Sequence, residues 1–158
     1  MENTSEIRQL ISEITSAVGY EGNFGDRIDN VDLILSEVDA ASRNGVPADY
    51  LEFLATFGFG ELDCALYVSD GPVRYTALAD ADAGIYAGLY VFAGDSCEVS
   101  YAFDTRGNWA IVELDAEIDE VEVVSEDFSS FILNKLAYVK DLIERRQAWT
   151  STTSPKAN

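Results

Sequence analysis

From Glu113 to Asp127 the chain carries Glu113, Asp115, Glu117, Asp119, Glu120, Glu122, Glu126 and Asp127 with no basic residue among them. Carboxylates this dense can coordinate a hard cation, work as an acid–base pair, or present a negative field to a cationic partner. The first chemistry fits poorly. Asp115, Glu117, Asp119 and Glu126 fall on the first, third, fifth and twelfth places of an EF-hand loop, but the sixth place holds Glu120 where a sharp turn requires glycine. A strand rather than a helix also precedes it. Asp80, Asp82 and Gly84 fail sooner, with glycine at the fifth place and Val91 at the twelfth. No metal site is expected.

Catalysis is no better supported. Carboxylate pairs are so abundant that any two lying close would say nothing about acid–base work. The chain has no histidine, which removes Ser-His, Cys-His and His-metal schemes together. No glycine-rich loop precedes a Lys-Ser/Thr pair, no serine stands in a nucleophile elbow, and neither Cys64 nor Cys97 has a candidate base. The expectation is a protein without cofactor that acts by binding. Trp109, Tyr67, Tyr75, Tyr86 and Tyr90 read first as core aromatics and second as interface anchors.

What remains is the field. Ten basic residues stand against 29 acidic ones, a net charge of −19. Residues 61–127 alone hold 16 acidic and 2 basic groups, whereas residues 128–158 carry a net charge of +3. This balance disfavours nucleic acid, whose phosphates require Lys and Arg, and it disfavours an anionic membrane surface. A plain explanation exists, since charge on an exposed strand edge blocks aggregation. Crowding eight carboxylates, however, costs self-repulsion that solubility does not require. We therefore take Glu113, Asp115, Glu117, Asp119, Glu120 and Glu122 as candidate partner-binding residues, with Glu61, Asp63, Asp80 and Asp82 as a second group. Alternation puts Glu113 with Asp115 on one face of their strand, and Glu120 with Glu122 on one face of theirs.

The elements that must position these groups are legible from periodicity. At 158 residues and 47% hydrophobic content the chain is one domain with material for a core. We expect that domain over 1–149 and a polar, disordered tail over 150–158. Ile7, Leu10, Ile11, Ile14 and Val18 mark a first helix capped by Thr4 or Ser5. A second is expected from Asp26 to Asn44-Gly45, with Ile28, Val31, Ile34, Leu35, Val38 and Ala41 inward. Pro47 opens a third through Phe57, with Tyr50, Phe53 and Leu54 inward and Asp49 and Glu52 in water. The period then drops to two. Strands are expected at Leu62–Ser69, Val73–Ala77, Leu89–Ala93, Glu98–Asp104, Trp109–Leu114 and Glu120–Val124, with Asp70-Gly71-Pro72 as a turn. Residues 79–87 read equally as loop or helical turn. Ser125 can cap a last helix to about Arg146. Helices at both ends of a run of short strands predict an α+β fold: N-terminal helices, a mostly antiparallel sheet of about five to six strands, and a C-terminal helix packed on it. The first residues do not read as a secretory signal and no apolar run could span a membrane, so a reducing cytoplasm is expected. Both cysteines are expected as small buried hydrophobes without a disulfide.

The stretch Val46-Pro47-Ala48-Asp49-Tyr50-Leu51-Glu52-Phe53-Leu54-Ala55-Thr56-Phe57-Gly58-Phe59-Gly60-Glu61-Leu62 resembles the signature of the SUKH superfamily, the Smi/Knr-like proteins. Gly88 to Asp95 followed by Tyr101-Ala102-Phe103-Asp104 is similar to that family's central strand pair, and Glu126 to Ile132 to its closing helix. The likeness covers about residues 27 to 140. One departure is plain: Ser96-Cys97-Glu98 stands where family members carry glycine in a turn. The resemblance implies a non-catalytic domain. Bacterial members look like immunity proteins that neutralise a polymorphic or contact-dependent toxin, and fungal relatives like regulatory scaffolds of cell-wall synthesis. The expected partner is thus a cognate basic toxin domain, a nuclease being one class whose phosphate-receiving site an acidic face can occupy. The alternative is a Smi/Knr-type scaffold whose acidity serves solubility. Monomer and homodimer are both compatible with this reading.

Overall fold

Where apolar spacing changes from helical to alternating, the chain passes from helices into a sheet. The computed structural model describes residues 1–75, 84–115, 117 and 120–153. Strands β1 (Gly60–Leu62), β2 (Leu66–Arg74), β3 (Leu89–Gly94), β4 (Val99–Asp104), β5 (Ala110–Asp115) and β6 (Val121–Ser125) form one sheet. Their order in space is their order in sequence, and every neighbouring pair is antiparallel. Helices α1 (Thr4–Thr15), α2 (Val31–Ile34), α3 (Ala48–Thr56) and α4 (Phe128–Thr153) complete an α+β fold.

The main core lies between the helices and one face of the sheet. Ile7 and Ile14 of α1, Tyr50, Phe53 and Leu54 of α3, and Phe128, Phe131, Leu136 and Val139 of α4 meet Val68, Phe92, Phe103 and Ile111. Phe92 and Phe103 stack across β3 and β4 at 4.2 Å, and the Tyr50 ring sets its edge against both and against Phe128. The opposite sheet face carries a smaller cluster of Leu89, Val91, Ala102, Val112 and Leu114, flanked by Tyr75, Tyr86 and Val121. The central strands are therefore buried on both sides. Ala102, between Tyr101 and Phe103 in β4, is fully buried on that second face.

Several expectations need correction. The single helix expected over residues 26–44 is one helical turn, α2, followed by turns and a short 3₁₀ segment, Arg43–Gly45. The reason is composition: Asp26, Asp29, Asn30, Asp32, Ser36, Asp39, Ser42 and Asn44 can bond their own backbone in turns. Asn30 caps the start of α2, its side chain accepting from the Asp32 amide at 2.9 Å, so it bounds a helix expected to run through it. Ile34, Leu35 and Val38 are still buried, whereas Val31 and Ala41, also expected inward, are exposed. Val18 is 86% exposed and lies outside α1, which ends before Ser16. Asn3, in a left-handed conformation, precedes α1, with no side-chain capping bond from the Thr4 or Ser5 region.

Asp70-Gly71-Pro72 is an irregularity inside β2, where the register shifts between Val68 and Val73, and not a turn between two strands. Gly71 passes so close to α2 that a β-carbon there would stand 2.4 Å from the Ile34 carbonyl oxygen. Asp127, in place of Ser125, caps α4: its Oδ1 accepts from the Ser130 amide at 2.7 Å. That helix continues to Thr153, past its expected end near Arg146. Both cysteines are free and exposed, contrary to the expected burial, because each sits in a connection at the end of the sheet. Among the described residues no helix is long and apolar enough to cross a membrane.

Candidate functional site

A meander of antiparallel strands sends its odd-to-even connections to one end of the sheet. Here those are the β1–β2, β3–β4 and β5–β6 turns, closed by Leu62↔Leu66, Gly94↔Ser100 and Leu114↔Val121. Between them they carry Asp63, Asp95, Glu98, Glu117 and Glu120, with Asp115 at the last residue of β5. Segments more than fifty positions apart thus place their carboxylates along one rim. Asp95 and Glu98 were not among the expected site residues, although hairpin parity, counted from the strands, assigns them to this end.

Each turn has a local cause. Asp95 Oδ1 accepts from the Cys97 amide at 2.8 Å and from the Val99 amide at 3.1 Å, which closes the β3–β4 turn. Glu98 takes a φ of 64° in that turn, a left-handed conformation carried without glycine. Asp115 Oδ1 accepts from the Glu117 amide at 2.9 Å and folds the start of the β5–β6 connection. In the β1–β2 turn Asp63 and Cys64 are both left-handed, with φ of 54° and 58°.

Of the second expected group, Glu61 and Asp63 stand at β1 and its turn, on the side of the sheet away from β5 and β6. Glu113 and Asp115 project from β5 on the face that carries Tyr101, since Glu113 pairs with Tyr101 on one side and with Glu122 on the other. Register therefore joins Glu113 to Glu122 across strands, a relation alternation along one strand could not show. Glu117, Glu120 and Glu122 are exposed, and Glu113 and Asp115 are half-buried. Asp119 lies outside the described residues, as do Asp80 and Asp82. Glu61 lies in β1, where its carbonyl accepts from the Asn23 and Phe24 amides and from the Tyr20 hydroxyl.

Asp63 differs from the rest. It is only 7% exposed, and Arg146 of α4 holds it through two bonds of 3.0 and 3.2 Å. The Glu21 amide donates to it as well, at 3.2 Å. This carboxylate ties α4 to the β1–β2 turn and is satisfied within the fold.

The negative field registers on neighbouring groups. Burial, together with Asp95 and Glu113 nearby, pushes the Tyr101 phenol well above its ordinary range. Lys135 answers it, with Nζ 2.8 Å from the Tyr101 hydroxyl and 4.4 Å from the ring centre. A hydrogen bond with Glu61, burial, and the charges of Glu61, Glu21 and Asp63 raise the Cys64 thiol. A nucleophilic cysteine needs the opposite shift. Among the described residues no group of three or more His, Cys, Asp or Glu side chains is arranged to hold a metal ion. No family model, curated protein or solved structure matches the chain.

Proposed function

We propose that the chain is a non-catalytic, cytoplasmic immunity protein of the SUKH type, which binds a cognate toxin domain through the acidic rim and neutralises it. The observation that carries this reading is the convergence of the β3–β4 and β5–β6 connections on one end of the sheet, with Asp95, Glu98, Asp115, Glu117 and Glu120 along it. A rim of one sign meets a basic partner with a steered encounter and rejects acidic ones. A nuclease is the toxin class best matched, because its active site receives phosphate and carboxylates can stand in its place.

The test pairs the chain with the toxin domain encoded beside it. Expressed alone the chain should be harmless, and co-expressed it should rescue cells from that domain. Replacing Glu113, Asp115, Glu120 and Glu122 by Gln or Asn should slow association roughly tenfold or more while the fold persists. Wild-type association should weaken with salt, since screening shortens to about 8 Å near 0.15 M. Failure to co-purify at low salt, with both proteins folded, would overturn the reading and favour a scaffold whose acidity serves solubility.

A further inference from the structure

The two edges of the sheet are treated differently. Outside β1 the chain covers its own edge: Gly22 bridges Leu62, Asp26 bridges Phe59, and the Asn23 side chain accepts from the Glu61 amide at 2.8 Å. Outside β6 no described residue pairs with the backbone. Every second residue of an edge strand turns its N–H and C=O away from the sheet, so this edge is a template for another strand. Its apolar residues are also left in water, with Val123 60% and Val124 41% exposed.

Proteins commonly blunt such an edge with lysine, proline or a bulge. Here the register shift between Ile111 and Val112 is such a bulge, with Val124 the extra residue, but there is no lysine or proline, and the charges that flank it are all negative: Glu120, Glu122, Glu126 and Asp127. Behind them Glu113 faces Glu122 directly, and among the described residues no ion pair neutralises either. Like charges set opposite one another are destabilising, so the pair is relieved by a cation placed beside it.

This pattern selects the occupant. A second copy pairing antiparallel about Val123 would set Glu120 against Glu126, and one pairing about Glu122 would set that residue against itself. We propose that β6 receives an extended cationic segment of the partner as a seventh strand, alongside Glu120–Val124, with Lys or Arg beside Glu122 and apolar side chains beside Val123. The inference rests on the binding reading above and specifies how the partner docks.

A short synthetic peptide of alternating lysine and valine probes the edge without the toxin, with a glutamate–valine peptide as control. In hydrogen exchange the lysine peptide should slow the outward-facing amides of β6 roughly tenfold, the effect fading with salt. The control peptide should leave them unchanged. Proline is then placed at Glu122 and at Val123 in turn, with Glu122→Gln as the charge control. Neighbouring amides alternate in direction, so one of the two proline variants keeps its ladder bonds and its thermal midpoint. That variant should lose the peptide. Absence of binding, or binding that leaves β6 exchange unchanged, overturns the proposal. Peptide binding without rescue from the toxin would sink the immunity reading alone, and rescue with β6 unprotected in the complex would sink this inference alone.

Discussion

Asp49 in α3 holds Ser129 at the start of α4 across 80 positions of sequence, its Oδ2 accepting from the Ser129 amide at 2.9 Å and from the hydroxyl at 2.8 Å. Asp49 was expected to face water with Glu52. It is half-buried instead, because the first amides of a helix have no partner within the helix and draw an anionic acceptor. With Asp127 on the Ser130 amide, two carboxylates cap one helix. Asp49→Ala should cost about 1–3 kcal/mol, the usual loss for buried donors left unpaired. Asp49→Asn, which keeps an acceptor, should cost less. Urea titration decides, and an unchanged midpoint for the alanine variant would refute the cap.

The Tyr50 hydroxyl is buried with no hydrogen-bond partner among the described residues. Burial raises its pKa far above the ordinary value, so it stays neutral. Tyr50→Phe keeps the ring contacts and should stabilise by about 1 kcal/mol, since an unsatisfied buried polar group carries a desolvation cost. The neighbouring Phe53→Ala, at a fully buried ring, should instead cost about 3–5 kcal/mol. A lower thermal midpoint for Tyr50→Phe would show that the hydroxyl is bonded.

Consecutive left-handed residues are the geometry of a tight hairpin turn whose second place favours glycine. Asp63 and Cys64 supply that geometry without it. Cys64→Gly should raise stability by about 1 kcal/mol and leave the bond between Asp63 and Arg146 in place. Chemical denaturation monitors the first, and the effect of Arg146→Met in the same background monitors the second. A destabilised Cys64→Gly would mean that the thiol contributes packing to the turn.

Glu13 of α1 and Lys140 of α4 form an ion pair. Hydrogen bonds from Lys140 and then Gln9 hold Glu13 below its ordinary value of 4.5, and the bond to Glu13 raises Lys140 above 10.5. A depressed carboxylate contributes stability above its ordinary value and loses it as pH falls through the folded one. A raised lysine contributes below its ordinary value and loses it as pH rises through the folded one. Glu13→Gln should therefore flatten both the acid and the alkaline limb of the thermal midpoint against pH. Unaltered limbs would show the pair to be a solvated contact.

The later strands and α3 were legible because their signals are local. Val99, Tyr101 and Phe103 alternate, and Pro47 pre-sets a first helical turn. The stretch from Asp26 to Gly45 was not, since apolar spacing marks candidates for burial and not how the backbone between them bonds. Asp70-Gly71-Pro72 has turn composition, yet the need for a backbone without a β-carbon comes from Ile34, a contact that exists only after folding. The acidic run was plain in the sequence. Its alignment with Asp95 and Glu98, and the pairing of Glu113 with Glu122, follow from strand parity and register, which no single segment carries.

A sheet whose strands neighbour one another in the order they are made can close hairpin by hairpin as the chain lengthens. The helical layer cannot follow the same schedule. α1, which precedes the sheet in the chain, rests on α4, which follows it. Until α4 leaves the ribosome, Ile7, Ile14, Tyr50 and Phe92 lack the side chains that cover them. A chain cut short before Phe128 would carry all six strands and every acidic residue of the rim, yet no closed core. Arrival of α4 is thus the event that turns a charged hairpin array into a durable fold, and docking of α1 against it reports the change.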